Sequence, residues 1–293
     1  MDFNTAEELL ALCSKENKPI SEIMRLREIV YGELNADEVE ARMRKSLNIM
    51  RESAHKPIKE VVRSIGGMIG GEAEKLEKRR TECKSICGNV LTKALIFSQA
   101  VLEVNASMGV IVAAPTAGSA GVLPSVLFAL QEEFKLSDET LLKGLFTAGA
   151  IGCLLMKNAS VSGAEAGCQA EIGSAAAMAA AAAVEMMGGT PEQCLDAASI
   201  TISNMLGLVC DPIAGLVEMP CQTRNAAGAS NALTSAEIAL AGIKAAIPFT
   251  EMAEAMYRVG KGLPHELRET ALGGCAATPT GCSYHCKIFG GCN

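Results

Sequence analysis

A mainly α fold of closely packed Ala- and Gly-rich helices is what this 293-residue sequence predicts. Three observations carry it. Side chains are small: aromatics make up 3%, Trp is absent and Gly occurs 28 times, so few bulky groups hold helix backbones apart. Helix-start signals recur along the chain. Alternating β-branched runs, which would mark strands, are scarce.

Charge divides the elements into two regions, 1–90 and 91–293, which can equally form one continuous domain. The first ninety residues hold 32 of the 59 charged side chains and read as solvated amphipathic helices. Thr5-x-x-Glu8 and Asn35-x-x-Glu38 fit capping boxes, in which side chains satisfy free N–H groups at a helix start. Pro57 and the Gly66-Gly67 and Gly70-Gly71 pairs break the pattern before a charged helix near 72–82. From about residue 90 apolar helices alternate with Gly-rich turns. Ser137 is expected to cap a helix reaching about Met156. Thr190-Pro191-Glu192-Gln193 joins a capping box to Pro at the first helical position. Thr250 is expected to cap a helix ending near Gly260.

Composition excludes several functions. A formal charge of −7 and a pI near 5.2 argue against nucleic acid, because a phosphate-binding face needs clustered Lys and Arg. Residues 104–131 carry no charge but are interrupted by Pro115, Gly118, Gly121 and Pro124. Residues 175–184 are almost pure Ala and too short to cross a bilayer. Both read as buried core, and with no secretory signal in the opening residues the expectation is a cytoplasmic protein. Twelve cysteines are then a surplus that points to metal or redox chemistry, since disulfides are disfavoured in that compartment. Cys13, Cys153 and Cys194 sit in apolar helical surroundings and suit a core. Cys83 and Cys87, four apart in a charged helix-like stretch, read as structural.

Three stretches set Cys beside Gly, Pro and isolated charges: Ser162 to Glu171, Leu206 to Gly215 and Met219 to Asn225. Cys210 and Cys221 are eleven residues apart across a Pro- and Gly-containing turn, and Cys168 lies forty-two residues before Cys210. Thiolates bind soft metals and iron–sulfur clusters from distant positions when the fold gathers them. Arg224 and Asn225 follow Cys221 in apolar sequence. A buried Arg needs a partner, either a substrate or one of Asp211 and Glu218. Glu165 and Glu171 are candidates for catalysis or for capping helices. Ala114 to Pro124 reads as a small-residue loop entering a helix, suited either to a tight helix–helix turn or to exposing N–H groups toward a carboxylate. Gly-Ser-Ala-Gly there is not a nucleophile elbow, because no strand precedes Ser119 and no triad follows. His265 reads as a helix-start residue.

The wording of these stretches carries a resemblance. LGLVCDPIAGLVEMPCQTRNAAGASNA (206–232) closely resembles the signature region of iron–sulfur L-serine dehydratases. SGAEAGCQAEIGSAAAMAAAAAVEMMGGTPEQ (162–193), APTAGSAGVLP (114–124) and LPHELRETALGGCAATPTG (263–281) match the same family, so the likeness spans about residues 90–281. It implies deamination of L-serine to pyruvate and ammonia by a [4Fe–4S] cluster on Cys168, Cys210 and Cys221, without pyridoxal phosphate. No lysine sits in the small-residue words, and the nearest, Lys157, reads as a helix-end cation.

Three thiolates leave one iron open to act as a Lewis acid on the β-hydroxyl. Cys292, in a tail that also holds Cys275, Cys282 and Cys286, is the candidate for that fourth position, though the match is poor at the end of the chain. The resemblance assigns the substrate carboxylate to Thr116, Gly118, Ser119 and Ala120. The catalytic candidates are Arg224, Asn225 and Glu165, none of them a convincing base. Single-chain members of the family carry a Ser-Ser-His-Thr-x-Gly-Pro word that is missing here, which implies a separate beta subunit. Competing readings are a cluster-dependent lyase for threonine, cysteine or a hydroxy acid, a zinc or redox protein, and a non-catalytic scaffold subunit.

Overall fold

The computed structural model describes residues 2–290, with thirteen α-helices and no strand among them. The charged third forms α1 (Ala6–Glu16), α2 (Ile20–Tyr31), α3 (Ala36–Lys59) and α4 (Glu72–Glu82). The rest forms α5 (Gly88–Ala106), α6 (Val122–Phe134), α7 (Asp138–Asn158), α8 (Gly163–Ala166), α9 (Cys168–Met186), α10 (Pro191–Ser203), α11 (Cys221–Leu240), α12 (Phe249–Gly262) and α13 (Pro279–Phe289).

α9 is the axis of the fold. Its Ala175–Ala177 and Ala179–Ala183 runs are buried among α6, α7, α10 and α11. Methyl side chains let these neighbours approach closely: at Gly228 of α11 an added Cβ would lie 2.8 Å from Ile172 of α9. One apolar core runs from Phe3, Leu9, Ile20, Leu47 and Met50 through α7 and α9 to Met256, so both charge regions contribute to it. α7 is the one described helix long and apolar enough to span a membrane, and 67% of its apolar window is buried. The uncharged 104–131 stretch is divided between the end of α5, a loop and α6.

The start signals act as expected at Asn35 and Thr190, where both halves of the capping box form. Ser137 caps α7 by accepting the Thr140 N–H at 3.2 Å. At Thr5 only one half forms, because the Glu8 carboxylate accepts the Asn4 N–H instead. Three expectations are corrected. Pro57 does not end its helix: it lies in the last turn of α3, where its missing N–H costs a single bond and its ring is buried. Thr250 lies inside α12 behind Pro248, and its hydroxyl donates to Glu7 and accepts from Ala6, tying α12 to α1. Cys83 and Cys87 share no helix, since one closes α4 and the other precedes α5.

Two buried carboxylates fasten the polar elements. Glu103 of α5 accepts the Ala73 N–H at 2.9 Å, capping α4 in place of the side chain that Gly71 lacks. Glu218 accepts from the Ser64 hydroxyl and from the amides of Gly66 and Met68. It thereby pins the 64–68 loop to the turn that leads into α11.

Candidate metal centre

Cys168 begins α9, Cys221 begins α11, and Cys210 lies in the extended stretch between α10 and α11. All three are buried, at 1%, 6% and 2% exposure. Chain segments that break between helices bring them together. Cys210 donates its N–H to Leu267 O at 2.8 Å and accepts the Glu269 N–H at 2.7 Å, a short parallel bridge that fixes its backbone. The Gln169 N–H, next to Cys168, donates to Leu208 O at 2.9 Å. Ligand atoms of Cys168, Cys210 and Glu171 all lie within 4.8 Å of one another.

The charge environment follows from this crowding. The Cys210 thiol is pushed far up by its hydrogen bond to Cys168, by burial and by the charge near Cys168 and Glu269. Cys221 is pushed up by burial and by Cys168 and Glu171. Burial also raises the Glu171 carboxyl, a Thr116 hydrogen bond opposes the rise and Glu269 adds to it. Gathered buried thiols that resist ionisation alone are a donor set that a bound cation would convert to thiolates, and they fit a thiolate-held metal group.

The predicted residues fall into place unequally. Arg224 is in the centre: it pairs with Asp211 at 2.6 Å, donates to Val209 O at 2.9 Å and stands 3.7 Å from Cys168 Sγ. Burial lowers its pKa, but Cys168 and Asp211 outweigh that and raise it. Of its two candidate partners, Asp211 is the one chosen, and Glu218 is committed to the 64–68 loop. Arg224 also lines a cleft of about 540 Å³ with Met205, Gly207, Leu208 and Asn231.

Asn225, fully buried, accepts the Gly121 N–H and donates to the carbonyls of Gly118 and Cys221. It clamps the 114–121 loop to the first turn of α11. In that loop the Thr116 hydroxyl donates to Glu171 and pairs with Ser119 at 2.9 Å, and Ala120 is buried. Among the described residues, the amides of Gly118 and Ser119 donate to no protein acceptor although both residues are buried. Glu165 is exposed and accepts the Ser160 hydroxyl at 2.6 Å, so it is not brought to the thiols. Cys292 lies outside the described residues. His265 opens a short 3-10 turn.

Sequence reasoning missed Glu269, Gly163 and Gly274. Glu269 stands in the 263–281 word, but its left-handed φ of 64° and its approach to Cys210 leave no local signal. Gly274, also left-handed at φ 57°, packs where a Cβ would strike the Asp211 carboxylate at 2.1 Å. Cys275 then donates its N–H to Asp211 at 2.6 Å.

Fold and site together define an all-helical protein with a buried three-thiol centre assembled at the starts of two helices. The family described as "Serine dehydratase alpha chain" matches residues 15–276, and the chain belongs to it. It is 49% identical over 289 residues to "Probable L-serine dehydratase, alpha chain" of Bacillus subtilis (strain 168), covering 99% of this chain and 96% of that protein. It is 46% identical over 279 residues to "L-serine dehydratase, alpha chain" of Peptoniphilus asaccharolyticus, covering 95% and 96%. Against "L-serine dehydratase" of Helicobacter pylori (strain J99), identity is 39% over 286 residues, covering 94% of this chain but only 62% of that protein.

Proposed function

We propose that this chain is the cluster-holding alpha subunit of an L-serine dehydratase, converting L-serine to pyruvate and ammonia in the cytoplasm. The convergence of Cys168, Cys210 and Cys221 in a buried pocket of a chain from this family is the observation that carries the reading. These three thiolates would hold a [4Fe–4S] cluster. When bound, the cluster supplies a Lewis-acidic iron for the substrate hydroxyl, offsetting charge on the leaving oxygen.

The chain's own groups do the rest. Arg224, held by Asp211 and 3.7 Å from Cys168 Sγ, offsets thiolate charge in a site that excludes water. The free amides of Gly118 and Ser119, with Thr116 and Ala120 beside them, receive the substrate carboxylate near the start of α6. Asn225 acts by positioning, since it grips Gly118 and Gly121 from the helix that carries Cys221. Glu165 is turned to Ser160 on the surface, and Arg224 and Asn225 are committed. We therefore assign the α-proton acceptor to a separate beta subunit, the counterpart of the length by which the Helicobacter pylori relative exceeds this chain.

The test is pyruvate formation from L-serine by anaerobically reconstituted chain, with and without a beta chain. Turnover that requires both iron and partner, and is abolished with the iron content in Cys210→Ser, supports the reading. A stable cluster without serine turnover would overturn the substrate assignment, and failure to take up iron would overturn the cofactor.

A further inference from the structure

We propose that Glu171 and Glu269 form the subsite for the substrate's α-ammonium group, making this centre selective for α-amino acids over the corresponding 2-hydroxy acids. The inference rests on the serine reading above and extends it to the group that separates serine from a hydroxy acid.

A gap beside Gly163 is the starting point. A Cβ placed on Gly163 would stand 3.1 Å from Cys210 Sγ, 3.1 Å from Glu171 Oε2 and 3.3 Å from Glu269 Oε2. Two carboxylate oxygens and a thiol therefore face one small space that the glycine leaves open. Glu171 is nine-tenths buried, and its Oε1 is held by the Thr116 hydroxyl. Its Oε2 points into the gap with no donor among the described residues. Glu269 is anchored by its N–H to Cys210 O, and its side chain has no ion pair among the described residues. The nearby cation, Arg224, is already engaged by Asp211 and Val209.

Like charges facing each other across a partly buried gap repel, and a cation between them relieves the repulsion. The neighbouring geometry favours an ammonium that travels with a carboxylate. Thr116 bonds Glu171 while its own loop presents the unpaired amides of Gly118 and Ser119. At Gly118 an added Cβ would lie 2.6 Å from Glu171 Oε1. Anion-accepting amides and cation-accepting carboxylates are thus side by side, matching the head group of an α-amino acid. A 2-hydroxy acid would fill the amide side and leave both carboxylates facing each other unrelieved.

The experiment uses the reconstituted enzyme with its beta chain and compares L-serine with L-glycerate, in which hydroxyl replaces the amine. Calorimetric binding and kcat/KM are read for wild type, Glu171→Gln and Glu269→Gln, with iron content and absorption spectrum recorded for each. Wild type is expected to prefer L-serine by about 100-fold or more. Each variant should weaken L-serine about tenfold or more, leave L-glycerate nearly unchanged and keep its iron. Equal binding of the two compounds by wild type, or equal losses for both in the variants, overturns the inference while serine turnover stands. Loss of iron in Glu171→Gln would make that residue a metal ligand and also overturn it. Glu269 is exposed, so its variant folds regardless of Glu171 and keeps the proposal open to refutation. If wild type releases no pyruvate, the dehydratase reading fails, and the binding comparison still decides the ammonium subsite.

Discussion

The two ends of α9 carry the same residue types and have different chemistry. At its start, Cys168 and Glu171 meet Cys210 and Cys221. Toward its end, Glu185 lies near the buried Cys13 and Cys194 and raises both thiols after burial itself, Cys13 to about 12. At that end the polar groups are consumed by structure. Glu185 accepts the Ser21 N–H near the start of α2 and the Thr147 hydroxyl of α7, and both cysteines sit within continuous helices. At the start of α9 the three thiols lie at helix starts and in an extended segment, Gly163 leaves a gap, and Arg224 stands within reach. Burial and a nearby carboxylate are therefore common to both ends. Interrupted backbone, open space and a fixed cation distinguish the one with a candidate function.

The largest expected effect comes from removing that cation. Arg224→Leu strands the 2%-exposed Asp211 carboxylate and should cost about 3–5 kcal/mol in denaturant unfolding. An unfolding midpoint matching wild type would show that the pair adds nothing to the fold. Next is Gly274→Ala, which combines a left-handed backbone with a 2.1 Å approach to Asp211. It should lose about 1–3 kcal/mol and reduce iron retention, both measurable on one purified sample.

At the opposite end, Cys194→Ala should cost only about 1 kcal/mol and leave iron content untouched. Iron loss there would erase the distinction between the two ends.

The smallest effect is a change in pH dependence at Glu103, away from both ends. Burial raises its carboxyl above the ordinary range despite bonds from Ala73 and its neighbours. A raised folded pKa means that folding binds a proton, so its stabilising contribution is full in acid and is lost as pH rises through the folded value. Glu103→Gln keeps an oxygen for the Ala73 N–H, so melting measured from acid to neutral pH should fall less with rising pH than in wild type.

Much of the helical frame was legible because its signals are local. Asn35, Ser137 and Thr190 act within three residues of themselves, and an Ala-rich run can only pack as a close-set helix. Pro57 and Thr250 misled for the same reason: a late Pro is tolerated when its helix is about to end, and Thr250 is claimed by Glu7 and Ala6, over two hundred residues away. The cysteine words were recognisable as words. Glu269, Gly163 and Gly274 were not, because a left-handed φ at Glu269 and a gap beside Gly163 come from segments meeting in space.

By itself, the sequence determined a helical protein with small-residue packing, and it singled out the thiols through family wording. Which groups meet was decided by tertiary structure alone. Cys168 and Cys210 stand forty-two residues apart, and only the crossing of α9 with the 206–211 segment, held by the Cys210–Arg268 bridge, makes them neighbours. Arg224 had two plausible acidic partners and took Asp211, because Glu218 was already drawn to the amides of the 64–68 loop. Such choices depend on competing long-range contacts, each too weak to be encoded at one position, and they are settled only when the core closes.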